Sequence, residues 1–137
     1  MREHIFAGLR VWARAVSETL GPGRLWLNGE FVTHSPTPPG GVTVVVIPDS
    51  LSSALAALDD GTAYPLLTMY DVVFMKPGRG GHLAELRSVG ALVDAFLADE
   101  SKPNDLEIWD LLWSQATLPD GGKMGGARKG YVEVRLP

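Results

Sequence analysis

The sequence has no cysteine. That excludes disulfides, thiolate nucleophiles and cysteine-ligated zinc, and it fits a cytoplasmic protein. Long apolar runs are missing too. Val42–Ile47 is only strand-length, far short of the roughly 18–20 residues a membrane helix needs, so no membrane association is expected. Positive charge is scarce, with 12 Lys and Arg against 16 Asp and Glu and a net charge of −4. A nucleic-acid binder is ordinarily basic, so nucleic acid is a disfavoured partner. The three histidines, His4, His34 and His82, are scattered without ligand spacing, which argues against a histidine metal site. The opening segment carries Arg2, Glu3 and Arg10 inside a helical pattern and does not read as a signal peptide.

What is present reads as one domain spanning 1–137, without internal repeat or linker. The 45% apolar and 20% charged composition is that of an ordinary globular protein, and 137 residues can bury a real core. Ile5, Phe6, Leu9, Trp12, Val16 and Leu20 recur at helical spacing and predict a helix over Glu3–Leu20, ended by Gly21-Pro22-Gly23. Leu25-Trp26-Leu27 opens a strand that stops at Asn28-Gly29. His34–Gly41 is a Pro/Gly loop. Val42–Ile47, almost wholly β-branched, has the character of a central strand covered on both faces. A short helix is expected over Leu51–Leu58, capped by Asp49 or Ser50, and a third strand over Asp71–Met75. Leu83, Leu86, Val89, Val93 and Leu97 suggest a helix over His82–Ala98, and a last helix follows over Asp105–Gln115. Pro119–Ala127 reads as a loop, and Tyr131–Leu136 alternates as an edge strand. The fold class is therefore α/β in the broad α+β sense, a small mixed sheet of about three to five strands flanked by helices.

Gly29-Glu30-Phe31-Val32-Thr33, then Pro38-Pro39-Gly40-Gly41-Val42-Thr43-Val44, then Tyr70-Asp71-Val72-Val73, and finally Arg128-Lys129-Gly130-Tyr131-Val132 follow one another in an informative order. In this order the chain resembles the nucleotidyltransferase superfamily, the polymerase-beta-like fold, and within it a bacterial and phage branch. The resemblance covers most of the chain through short motifs. It implies a Gly-Ser turn that meets phosphates, an Asp-x-Asp pair leading a hydrophobic strand, and a third aspartate on a later strand. In such enzymes these carboxylates hold divalent ions that bridge a triphosphate.

Carried across position by position, the chemistry departs from the pattern. Gly41 and Thr43 stand where the two strand carboxylates belong, Glu30 stands where the phosphate-binding serine belongs, and only Asp71 keeps its expected identity. A single aspartate makes a weak magnesium site. A carboxylate about 4 Å from a phosphate, at an effective dielectric near 20, is repelled by roughly 4 kcal/mol per charge pair. Glu30 thus either opposes a triphosphate or simply points to solvent, and both readings leave the chain without a metal site.

Other candidates weigh less. Asp49 is more readily a helix cap than a displaced ligand. His34 lies in the loop beside the expected cleft. Lys123, Arg128 and Lys129 form a basic cluster that could touch a phosphate or an acidic partner, though a solvated face is the simpler reading. Trp109 and Trp113, four residues apart, read as core. The expectation is a catalytically degenerate nucleotidyltransferase-like protein with no catalytic residues and no cofactor. It would act by binding a protein partner in a bacterial, phage or mobile-element setting, with nucleotide binding disfavoured. The alternative is an active enzyme using magnesium held by Glu30, Asp49 and Asp71.

Overall fold

The computed structural model describes all residues except 77–78, 87 and 118–121; the side chains of 69–87, 91, 117–121, 123 and 124 are also outside the description. The element order is α1 (Arg2–Leu20), β1 (Gly23–Asn28), β2 (Val42–Pro48), α2 (Leu51–Asp59), β3 (Met69–Lys76), β4 (Arg79–Leu86), α3 (Ser88–Ala91), β5 (Val93–Leu97), α4 (Asp105–Trp113), β6 (Gln115–Thr117), β7 (Lys123–Arg128) and β8 (Val132–Arg135). The fold is mixed α and β. Its centre is a four-stranded sheet of order β5-β2-β1-β8, and β3-β4 and β6-β7 form separate two-stranded ribbons.

β2 explains the layering. Val44, Val45, Val46 and Ile47 are all completely buried, two on each face, as the β-branched run requires. Val44 and Val46 pack with Leu25, Leu27, Val93 and Ala95 against the α1 stripe of Ile5, Leu9, Trp12, Ala13, Val16 and Leu20. Val45 and Ile47 pack with Trp26, Phe96, Trp109 and Trp113 on the opposite face. Each fully buried Val or Ile contributes about 1.5–3 kcal/mol over an exposed one, so this strand alone carries a large share of the stability. Phe6, expected on the α1 stripe, is instead 53% exposed.

The helix expected over 82–98 is not formed. The segment is strand β4, the single turn α3 and strand β5. Gly90 is a poor helix former, and Val89 and Gly90 both adopt left-handed φ values, 53° and 61°. β5 then pairs parallel to β2, which sends Val93 and Ala95 into the core with the period of a strand. The short apolar run could satisfy either period, and pairing with β2 decides it. The expected loop over 119–127 likewise contains part of β7, which pairs antiparallel with β6.

β1 begins at a point where only glycine fits. A Cβ on Gly23 would lie 2.5 Å from the carbonyl oxygen of Ile47 and 2.9 Å from Cα of Pro48. Both obstacles are backbone of the central strand and cannot swing aside. Gly23→Ala should lower stability by about 1–3 kcal/mol through this overpacking. Gly40→Ala, with nothing within 4 Å of the added carbon, should stay within about 0.5 kcal/mol of the parent. Urea denaturation of the two variants checks the contrast.

Candidate functional site

β1 and β2 are antiparallel, and Asn28, the last residue of β1, faces Thr43 near the start of β2. On the other side of β2, Thr43 faces Asp94 of parallel β5. Paired residues of adjacent strands project from the same face. Asn28, Thr43 and Asp94 thus form a polar row across three strands, at one end of the face otherwise occupied by Trp26, Val45 and Phe96. Lys129 joins this row, because its Nζ donates to Oδ1 of buried Asn28 at 3.2 Å.

The turn after β1 shapes one wall. Gly29 has φ 91°, a left-handed conformation suited to glycine. Glu30–Val32 forms one 3-10 turn. Nη2 of Arg2, at the start of α1, lies 3.2, 3.1 and 3.1 Å from the carbonyls of Glu30, Thr33 and Ser35 and ties this segment to the helix. The resulting open cleft, about 430 Å³, is lined by Gly29, Glu30, Gly40, Gly41, Thr43 and Asp94, with Val42 and Leu92 behind.

Four of the five degenerate positions expected from the sequence, Gly29, Glu30, Gly41 and Thr43, therefore gather at one cleft. Asp71 belongs to β3, in the separate β3-β4 ribbon, at an irregularity in its pairing, and its side chain lies outside the described residues. The acidic residue placed beside Thr43 is Asp94, which the sequence reading missed by assigning it to a helix. Its only signal was the alternation Val93-Asp94-Ala95-Phe96. The Thr68 hydroxyl donates to Asp94 Oδ1 at 2.8 Å.

The remaining candidates disperse. Asp49 follows the far end of β2, six residues from Thr43, which is about 20 Å of strand. Glu30, beside the near end, cannot share an ion with it. Nor does Asp49 cap α2: it receives both Nη atoms of Arg135, at 3.0 and 2.9 Å. Ser50 stands at the cap position without a side-chain cap bond. Arg128 turns away to Ser114 Oγ at 3.0 Å and Asp110 at 3.5 Å. His34 is exposed on its loop. The side chains of Lys123 and His82 lie outside the described residues. Among the described residues, no three His, Asp or Glu side chains converge as a metal would require. Glu30, a neutral hydroxyl and a carboxylate already bonded to Thr68 are a poor donor set for magnesium.

Beside the polar row the sheet face is aromatic. Trp113 is buried in the core and Trp109 packs, partly buried, against it, while Tyr131 meets Trp26 at a tilt with ring centroids 4.9 Å apart. The residues that α4 leaves outside are Ile108, Leu111 and Leu112, at 54%, 60% and 51% exposure. The Tyr131 hydroxyl donates to Asp110 at 2.6 Å. Burial first, and the adjoining Asp110 carboxylate second, push the phenol up to about 12.

This chain belongs to a family of proteins of unknown function, DUF6932, matched over residues 1–135. No curated protein and no solved structure shows significant similarity to it. The family assignment spans the cleft, the polar row and β8 alike.

Two predictions follow from this geometry. A native pKa above the unfolded value favours the protonated form, so Tyr131 supports the fold fully below pH 10 and loses that support as pH rises toward 12. In a spectrophotometric titration Tyr131 should ionise late, and Tyr131→Phe should remove that late step. Arg2→Ala should speed amide hydrogen exchange across residues 30–35, while global stability changes by less than about 1 kcal/mol because the site is exposed.

Proposed function

We propose that this protein is a catalytically degenerate nucleotidyltransferase-like domain that acts by binding, with another protein as its partner, in a bacterial or phage setting. The observation that carries the reading is the make-up of the cleft. A glycine turn, a Pro/Gly loop and a buried strand surround it, yet the positions that resemble the carboxylate pair are Gly41 and Thr43. Glu30 places negative charge where a triphosphate would approach. On this reading no cofactor is used. A protein partner is favoured by the exposed stripe Ile108, Leu111 and Leu112, which recurs at helical spacing on α4 while the other side of that helix is in the core.

The competing reading is an active, magnesium-dependent enzyme with rearranged ligands. The separation of Glu30 from Asp49 weighs against the particular set Glu30, Asp49 and Asp71. The test is a thermal-shift titration with magnesium or manganese and each nucleoside triphosphate, since a ligand that binds only the native state must raise Tm. Binding at 100 times Kd would stabilise by about 2.7 kcal/mol, a shift of several degrees. The expected result is no shift with any combination. A metal-dependent shift abolished by Asp94→Ala or Asp71→Ala would overturn the degenerate-site reading.

A further inference from the structure

The two edges of the central sheet are treated differently. On the outer edge of β5, Thr68 supplies a partner: its N–H donates to the Ala95 carbonyl at 2.9 Å, and the Ala95 N–H donates to its hydroxyl at 2.8 Å. At the opposite edge, β8 pairs among the described residues with β1 alone. The Leu136 N–H donates to the Gly23 carbonyl, so the backbone groups of Val132, Val134 and Leu136 face β1. Those of Tyr131, Glu133 and Arg135 face outward, and among the described residues no backbone group meets them. Val132 and Val134 are also 41% and 38% exposed, although their side chains share the face that α1 covers elsewhere.

We propose that β8 pairs antiparallel with β8 of a second copy of this chain, giving one continuous eight-stranded sheet. A two-fold dimer through a sheet edge must be antiparallel, and its register must place a residue or a residue gap on the dyad. Registers centred on a residue from Val132 to Arg135 bring outward-facing backbone groups together. Those centred on Glu133 and on Arg135 set that side chain against its own charge, which is unfavourable, and the one centred on Val132 sets Glu133 opposite Tyr131, without an ion pair. The one centred on Val134 sets Glu133 opposite Arg135 of the second copy, twice by symmetry. In that register each Glu133–Arg135 pair exchanges both backbone hydrogen bonds. Val134 then meets Val134 of the second copy, and Val132 meets Leu136. Charge, backbone direction and apolar contact all select the same register. Isolated charges on an edge strand more commonly guard it against pairing, but here their two-residue spacing makes the strand complementary to itself.

Sedimentation equilibrium over a range of protein concentrations tests this. The wild-type chain is expected to approach twice its 14.7 kDa monomer mass. Arg135→Glu should hold it at the monomer mass by opposing Glu133 with a like charge. The reversed pair, Glu133→Arg with Arg135→Glu, should restore the dimer. Both substitutions disturb the internal partners Arg24 and Asp49, so the reversed pair cannot recover association by repairing the fold. Val134→Lys places two ammonium groups on the dyad and should also give a monomer, with Tm at low protein concentration close to that of the parent. A wild-type chain that stays at 14.7 kDa at every concentration, or one whose dimer survives Arg135→Glu and Val134→Lys, overturns the proposal. So does a wild-type monomer that binds an extended acidic peptide along β8, since the edge would then serve a different partner.

Discussion

β2 has no wet face along most of its length. Val44 and Val46 must be covered from one side and Val45 and Ile47 from the other, and neither layer can be dispensed with. The chain meets that demand with α1 and α2 on one side and the aromatic cluster of α4 on the other. Gly23 belongs to the same constraint, because β1 lies so close to the end of β2 that a single methyl group would strike its backbone. The central strand therefore dictates the helices, the approach of β1 and the positions left over for polar chemistry.

Those positions lie at the two ends of the sheet. At the start of β2, Thr43 joins Asn28, Asp94 and Lys129 beside the glycine-lined cleft. Beyond its other end, Asp49 pairs with Arg135, and Arg24 pairs with Glu100 and Glu133. These surface ion pairs are worth little individually, but they claim carboxylates that sequence spacing alone could have assigned to a metal. The cleft keeps Glu30, a hydroxyl and a hydrogen-bonded Asp94. That set is suited to polar contacts and poorly suited to neutralising a triphosphate.

Much of this was legible in the residues. The α1 stripe, the glycine stop at Gly21, the buried character of Val42–Ile47 and the alternation of β8 each carry one unambiguous period or breaker, and each forms as expected save for Phe6, which leaves the stripe. The stretch 82–98 does not carry one. Its apolar residues match a helical spacing, yet Gly90 interrupts it, and its last part becomes a strand by pairing with β2, a partner that the brief alternation Val93-Asp94-Ala95-Phe96 does not name. That misassignment hid Asp94, because a residue's neighbours across a sheet depend on strand order and not on sequence distance. Asp49 was misread for a similar reason: a carboxylate before a helix is an ordinary cap, and only the return of β8 brings Arg135 within reach. The exposure of Ile108, Leu111 and Leu112 was likewise hidden, since a helix with apolar residues on both sides does not declare which side meets the core.

On the proposed function, the cleft keeps the frame of a metal-dependent site while lacking its ligands. Manganese titration followed by electron paramagnetic resonance, which gives bound ions as the difference between total and free, addresses it when the wild-type chain is compared with the triple variant Glu30→Ser, Gly41→Asp, Thr43→Asp. The wild-type protein should bind no manganese beyond that held by the nucleoside triphosphate itself, and the variant, carrying a serine at 30 and a carboxylate pair beside Asp94, should bind it. A wild-type protein that already holds the ion, or a folded variant that holds none, would contradict the claim.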